Sequence, residues 1–157
     1  RDWSSDVCSS DLLVTHGAVL CDVTSESYLF FGDHVPKKYV EAWMESGKKQ
    51  VICQAELFPI WIAKMTWRSL LEGRQVLWFC DNEAARSAVV RSYSPLLDSM
   101  QIVRQCAFED VAAQTTNWYA RVPSKSNLAD AASRLDFSCY ASLGFTKVTP
   151  LYAHDIV

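Results

Sequence analysis

Val76-Leu77-Trp78-Phe79-Cys80 is an unbroken apolar run that stops on Asp81 and is followed by Asn82-Glu83-Ala84-Ala85-Arg86. Such a run suits a strand covered on both faces, as in the parallel part of an α/β sheet, and the segment after it suits a helix start. Asp81 is thereby predicted at the carboxyl end of a buried strand, the edge of an open α/β sheet at which ligands bind. A carboxylate there is a candidate metal ligand or acid/base group. Helix capping by Asp81 or Asn82 is an equally good structural explanation.

The chain has 157 residues, half of them hydrophobic, which suits one domain with a sizeable single core. No apolar run approaches membrane-spanning length, so a soluble protein is expected. A formal net charge of -3 argues against a protein that coats DNA nonspecifically, because such proteins carry a basic stripe. It leaves room for a nucleic-acid enzyme that gathers carboxylates around metal ions. Cys8, Cys21, Cys53, Cys80, Cys106 and Cys139 stand far apart, form no CxxC pair and have no neighbouring histidine. Several lie in apolar runs, where a free thiol behaves as a small hydrophobe, so a reduced intracellular chain without a zinc site is expected, in cytoplasm or nucleus.

Residues 1–12 are polar, lack a strand or helix period, and join abruptly to Leu13-Val14-Thr15-His16. They have neither the basic start nor the apolar core of a signal peptide. Val7-Cys8-Ser9-Ser10-Asp11-Leu12 resembles a common sequencing adapter read in translation, and residues 1–12 are read as an artefact, with the natural chain continuing upstream of Leu13.

Gly17 to Asp22 and Ser27 to Gly32 read as two strands joined by a polar turn into an antiparallel hairpin. Pro36 opens a short amphipathic segment with Tyr39, Val40, Trp43 and Met44 on one stripe. Gln50 to Cys53 is expected as a short strand and Gln54 to Leu71 as a helix, its stripe built on Leu57, Trp61 and Met65 and its end marked by Gly73. Pro59 is tolerated only in a first turn, which predicts a helix start close to Glu56. A strand over 75–80, a helix from Asn82 to about Tyr93, a helix from Leu96 to Ala113 and a strand over 116–122 follow. A last short helix opens at Asn127, and residues 136–157 read as a loosely packed C-terminal extension.

Three acids share a setting: Glu56 at a helix start, Asp81 at a strand exit and Asp130 in the first turn after the final strand. Convergent carboxylates repel unless a cation lies between them, and hard oxygen donors favour Mg²⁺ or Mn²⁺. Two such ions about 3.5 to 4 Å apart support in-line phosphodiester hydrolysis. Each acid also has an ordinary explanation. Glu56 could complement its helix dipole, and Asn127 with Asp130 could form a capping pair. His16, His34 and His154 have no ligand-like spacing.

Gly17-Ala18-Val19-Leu20, Gln54-Ala55-Glu56-Leu57, Leu77-Trp78-Phe79-Cys80-Asp81-Asn82 and the stretch Arg121-Val122-Pro123-Ser124-Lys125-Ser126-Asn127-Leu128-Ala129-Asp130-Ala131-Ala132-Ser133-Arg134 occur in that order. Together they resemble the ribonuclease H domain of retroelement reverse transcriptase polyproteins, of the tyrosine-recombinase (DIRS-like) and Ty3-like kinds, over residues 13–135. The resemblance implies an α/β fold with a five-stranded mixed sheet, its first three strands antiparallel, flanked by helices. It implies cleavage of the RNA strand of an RNA–DNA hybrid by two divalent ions (Mg²⁺ or Mn²⁺) held by four acids, downstream of a reverse transcriptase domain. Glu56, Asp81 and Asp130 match the second to fourth of those acids, and Asn82 matches a position beside the hybrid. Selection of RNA would rest on the 2′-hydroxyl in the wide minor groove.

The match is incomplete. The family's first acid, in an Asp-Ala-Ser opening, falls by spacing on Ser10, and Asp11 is one residue out of step, which aims it to the other face of a strand. The stretch between Val122 and Asn127 lacks the histidine some relatives carry. The parent is therefore expected to be an enzyme and this chain to be weakly active or dead. Two other readings stand beside it: a noncatalytic spacer of the same fold, and a nuclease or recombinase acting on DNA.

Overall fold

The computed structural model describes residues 13–45 and 51–153. Strands β1 (Thr15–Asp22) and β2 (Ser27–His34) form the expected antiparallel hairpin, with Gly17 opposite Gly32 and Asp22 opposite Ser27. The turn is made by Asp22, whose carboxylate accepts from the Thr24 amide at 3.0 Å, the Ser25 amide at 3.3 Å and the Ser25 hydroxyl at 2.6 Å. An Asp that ties down the next backbone amides is a local turn signal that needs no tertiary help. The bond from the Ser25 hydroxyl, then those from the Ser25 and Thr24 amides, hold its carboxyl below the ordinary value, and Arg74 adds to this.

Helix α1 (Lys37–Glu45) follows Pro36 and buries Val40 and Trp43, as its stripe predicts. Helix α2 (Ile52–Thr66) differs from expectation at both ends. Val51 to Cys53 does not form a strand; the Ala55 amide bonds the Val51 carbonyl at 2.8 Å, so this apolar stretch is the first turn of the helix. Pro59 thus lies inside α2 rather than in its first turn, and it withholds a hydrogen bond from the Ala55 carbonyl. The helix breaks at Trp67 and resumes as α3 (Arg68–Leu71), and Gly73 then takes a left-handed φ of 69° that turns the chain into the next strand.

Strands β3 (Gln75–Cys80) and β4 (Thr116–Arg121) are parallel, with Leu77 opposite Trp118. Helices α4 (Glu83–Arg91) and α5 (Leu97–Ala113) make the crossover between them. Residues 124–126 form a 3₁₀ turn, after which come α6 (Ala129–Ser133), α7 (Ser138–Ser142) and the two-residue strand β5 (Thr146–Lys147), parallel to β2.

The architecture is α/β with mixed pairing, but the strands form two sheets, β2 lying between β1 and β5 in one and β3 with β4 in the other. This corrects the expected five-stranded sheet with three antiparallel strands leading. The stretch expected to supply a third strand is spent on α2, and β1 and β3 do not pair. The larger core gathers Phe31, Leu57, Phe58, Ile62 and Cys106 between the sheets, α2 and α5. Apolar side chains surround α2, and Lys64, buried within it, pairs with Asp110 of α5 and lies over the Trp78 ring at 4.4 Å.

A smaller core covers the opposite face of the hairpin, where Phe30 stacks on Tyr140 at 4.2 Å and packs with Ala132. Tyr140 is fully buried, donates to the Leu128 carbonyl at 2.6 Å and accepts from the Ala132 amide at 2.9 Å. Tyr152 is buried too, its hydroxyl 2.9 Å from Nε2 of His16. Residues 136–153 are therefore packed into the fold, which corrects their reading as a loose extension. Aromatic side chains spaced irregularly over short elements supply that packing, and they leave no periodic trace.

The apolar run of β3 is also not covered on both faces. Val76 and Trp78 pack against the larger core, whereas Leu77 and Phe79 are 54% and 60% exposed, with Trp118 of β4 beside them at 73%. Among the described residues helices lie on one face of this sheet only, so alternation along the strand divides the run into a covered row and an open one.

Candidate functional site

A cavity of about 950 Å³ separates β1 from β3. It is lined by residues 16–24 of the first hairpin, by residues 74–82, by the flank of α2 that carries Ala55, Glu56 and Pro59, and by the chain leading into α6. Arg74, just before β3, reaches across to Asp22, at the end of β1, with a 2.7 Å ion pair. The end of β1 therefore lies by the start of β3. The two strands run in opposite senses, which places Thr15 of β1 at the same end of the cavity as Cys80 and Asp81.

Helix α6 arrives at that end because the hairpin admits it. A Cβ on Gly17 would lie 2.5 Å from the Ala132 carbonyl carbon, and one on Gly32 would lie 2.3 Å from the Ala132 oxygen. Only glycine at both positions lets the helix backbone rest on the strand backbone. The Thr15 hydroxyl then donates to the Ser133 carbonyl at 2.6 Å and pins the helix in place.

The three predicted acids all border this cavity, and so does Asn82. Asp81 follows the last residue of β3. Glu56 stands one turn into α2 rather than at its start; the first turn of that helix carries no acid, so dipole complementation does not account for it. Asp130 is in the first turn of α6, whose N-cap position, Leu128, has no side-chain cap; Asn127, one residue earlier, accepts from the Ala129 amide with its side-chain oxygen at 3.1 Å. Asp130 instead faces Arg134, with Oδ2 3.1 Å from Nε. Asn82 is the N-cap of α4 and accepts from the Ala85 amide at 2.9 Å, so its oxygen serves the fold. Its side-chain NH₂ group and the second lone pair of that oxygen are left for a ligand.

Burial pushes the Cys80 thiol up to about 11, and the negative charges of Asp81 and then Glu56 push the same way against Arg86 and Lys64. The two carboxylates thus act on one buried point from two elements. In kind, these hard oxygen donors suit a divalent cation. In spacing they do not yet form a ligand set: among the described residues no three His, Cys, Asp or Glu side chains converge closely enough to hold a metal ion. Position 10, which the family pattern assigns to a further acid, and Asp11 lie outside the described residues.

His16, given no role by its spacing, is a core residue edged against Phe58 and bonded to Tyr152. Burial lowers it to about 4, partly opposed by Asp33. Arg74 and Arg134 stand at the two ends of the cavity; Arg134 closes the Asn127–Arg134 motif, and Arg74 has no such motif. For Arg74 a place directly after a helix-ending glycine is the only local hint. Cys21, Cys53, Cys80, Cys106 and Cys139 are all free thiols. Among the described residues no helix is long and apolar enough to cross a membrane.

No protein-family model, curated protein or solved structure matches this chain.

Proposed function

We propose that this chain derives from a ribonuclease H-type hydrolase, the part of a reverse transcriptase polyprotein that cuts the RNA strand of RNA–DNA hybrids. The observation that carries the reading is that Glu56, Asp81 and Asp130, from three separate elements, border one cavity between the two sheets. The local explanation for one of these acids has weakened, since Glu56 is clear of the first turn of its helix. In the intact protein, Mg²⁺ or Mn²⁺ held by such carboxylates would activate water and stabilise the departing oxygen. A partner domain upstream and a hybrid substrate belong to the same proposal.

The set of acids favours one further statement about this chain. With Ser10 where the family pattern has its first acid, and Asp130 engaged by Arg134, the catalyst is impaired as it stands. The noncatalytic-spacer reading draws on the same observation, and one experiment divides the two. A labelled RNA–DNA hybrid and an all-DNA duplex are incubated with the chain and with Ser10→Asp, in Mg²⁺ and in Mn²⁺. The nuclease reading expects slow or no cutting by the chain, hybrid-specific cutting by Ser10→Asp, and its loss in Glu56→Gln, Asp81→Asn and Asp130→Asn made on that background. Cutting unchanged by Asp81→Asn would refute the assignment. Equal cutting of the duplex would move the substrate to DNA, and inertness of every variant would favour the spacer.

A further inference from the structure

The open face of the β3–β4 sheet carries Gln75, Leu77 and Phe79 on one strand and, directly opposite in register, Thr116, Trp118 and Ala120 on the other. With about 150–250 Å² for a whole aromatic side chain and less for leucine, the exposed parts of Leu77, Phe79 and Trp118 add up to about 400 Å² of apolar surface. A patch of that size on a soluble chain marks an interaction site. The sequence outside the described residues is ill suited to cover it: residues 46–50 are Ser-Gly-Lys-Lys-Gln, residues 154–157 number four, and residues 1–12 carry Asp2, Asp6 and Asp11.

No charged side chain stands on this face, and that decides the occupant. A nucleic-acid strand needs cations along its path besides rings to stack on, whereas this face leads to Asp81. A neutral apolar face opposes no like charges when it meets its own twin. Its relief is self-complementary as well. Phe79 stands beside Ala120 and Trp118 beside Leu77, so the two bulky rings lie on different strands. A twofold axis running along the strands sets β3 of one copy on β4 of the other, which lays Phe79 over Ala120 of the second copy and Trp118 over its Leu77. The outer edge of β4 is no rival to the face. The Thr116 and Val122 amides bond the Arg74 and Cys80 carbonyls, so the Tyr119 carbonyl points outward, and Arg86 already donates to it at 3.3 Å.

We infer that this chain pairs with a second copy of itself through the open face of the β3–β4 sheet, the two sheets packing about 10 Å apart as a sandwich. A patch of about 400 Å² on each copy is about half of what a standard interface buries per partner, so the dimer is weak, with a micromolar dissociation constant. Because the axis follows the strands, Asp81 of both copies lies at the same end of the sandwich. The pairing needs neither metal nor nucleic acid, so its failure is separable from failure of the nuclease reading.

Sedimentation equilibrium of the full chain across the micromolar range tests it. A reversible monomer–dimer equilibrium is expected, weakened at least about tenfold by Trp118→Ser and by Phe79→Ser, and unchanged by Val111→Ser, which removes an equally exposed apolar side chain from α5. Both rings are exposed, so each variant should melt within about 2 °C of the parent. In a half-labelled sample of the parent, isotope-filtered NOEs are expected between the Phe79 ring and the Ala120 methyl of the second copy. A monomer at every concentration, a dimer indifferent to Trp118→Ser and Phe79→Ser, a dimer lost equally in Val111→Ser, or absence of those NOEs from a dimer overturns the inference. So does a monomer whose Phe79 and Trp118 resonances move on addition of a single-stranded oligonucleotide, which would assign the face to nucleic acid.

Discussion

Gly17→Ala is the most direct probe of how the acid-bearing helix is held. The added Cβ would meet the Ala132 carbonyl carbon and the Ser133 amide nitrogen at 2.5 Å each, where ordinary contact begins near 3.4 Å. Both are backbone atoms, so no side-chain rotation relieves the overlap, and α6 must withdraw by about 1 Å from the hairpin. A withdrawal of that size stretches the 2.6 Å bond from Thr15 to Ser133 to about 3.6 Å, too long to count as a hydrogen bond. Overpacking costs about 1–3 kcal/mol and the lost bond about 1 kcal/mol. The stiffer unfolded chain returns about 0.4–1 kcal/mol. The net destabilisation, about 1–3.5 kcal/mol, lowers Tm by roughly 2–14 °C in a domain of this size. Thermal melts read the loss, and methyl NMR of Ala132 reads the displacement. A Tm within about 2 °C of the parent with an unmoved Ala132 resonance would show that α6 is not seated on the Gly17 backbone.

Other consequences can be checked in parallel. Lys64→Ala leaves Asp110 without its cation in a part-buried site and is expected to cost about 3–5 kcal/mol, whereas Lys64→Met, which keeps the volume against Trp78, should cost clearly less in urea unfolding. Equal losses would mean that the missing charge, common to both variants, and not packing governs the site. His16 is held neutral in the fold, lowered from 6.5 to about 4, chiefly by burial. The unfolded chain therefore binds the extra proton first, and stability falls as pH drops from about 6.5 to about 4, by at most about 3 kcal/mol. A Tm profile flat over that window, or one unchanged by His16→Gln, would contradict this.

Where backbone geometry is set by neighbouring residues, the sequence is informative. Asp22 with Thr24 and Ser25 makes its own turn, Gly73 takes the left-handed conformation that ends the α2–α3 segment, and Asn82 caps α4 from the position read as a strand exit. The hairpin, α1, β3, α4, α5 and β4 follow from period and punctuation of that kind. Elsewhere distant chain decides. Pro59 argues locally for a helix start, yet burial of Leu57, Phe58 and Ile62 on both sides of it outweighs one lost hydrogen bond and extends α2 back to Ile52. Leu77 and Phe79 read as buried because they are apolar; they are exposed because, among the described residues, no helix lies over their face of the sheet. Residues 136–153 have no period, and only the stacking of Tyr140 on Phe30 and the bond between Tyr152 and His16 reveal their place. The acids were visible as residues at element boundaries. Their relation to one cavity depends on the Arg74–Asp22 pair and on Gly17 opposite Gly32, contacts between segments that local spacing does not relate.

The bond from Thr15 to Ser133 spans 118 positions of sequence. Asp130 can thus reach the cavity that Glu56 and Asp81 border only after every element between β1 and α6 has left the ribosome, whereas the hairpin that receives it is available much earlier. During synthesis that end of the cavity stays open.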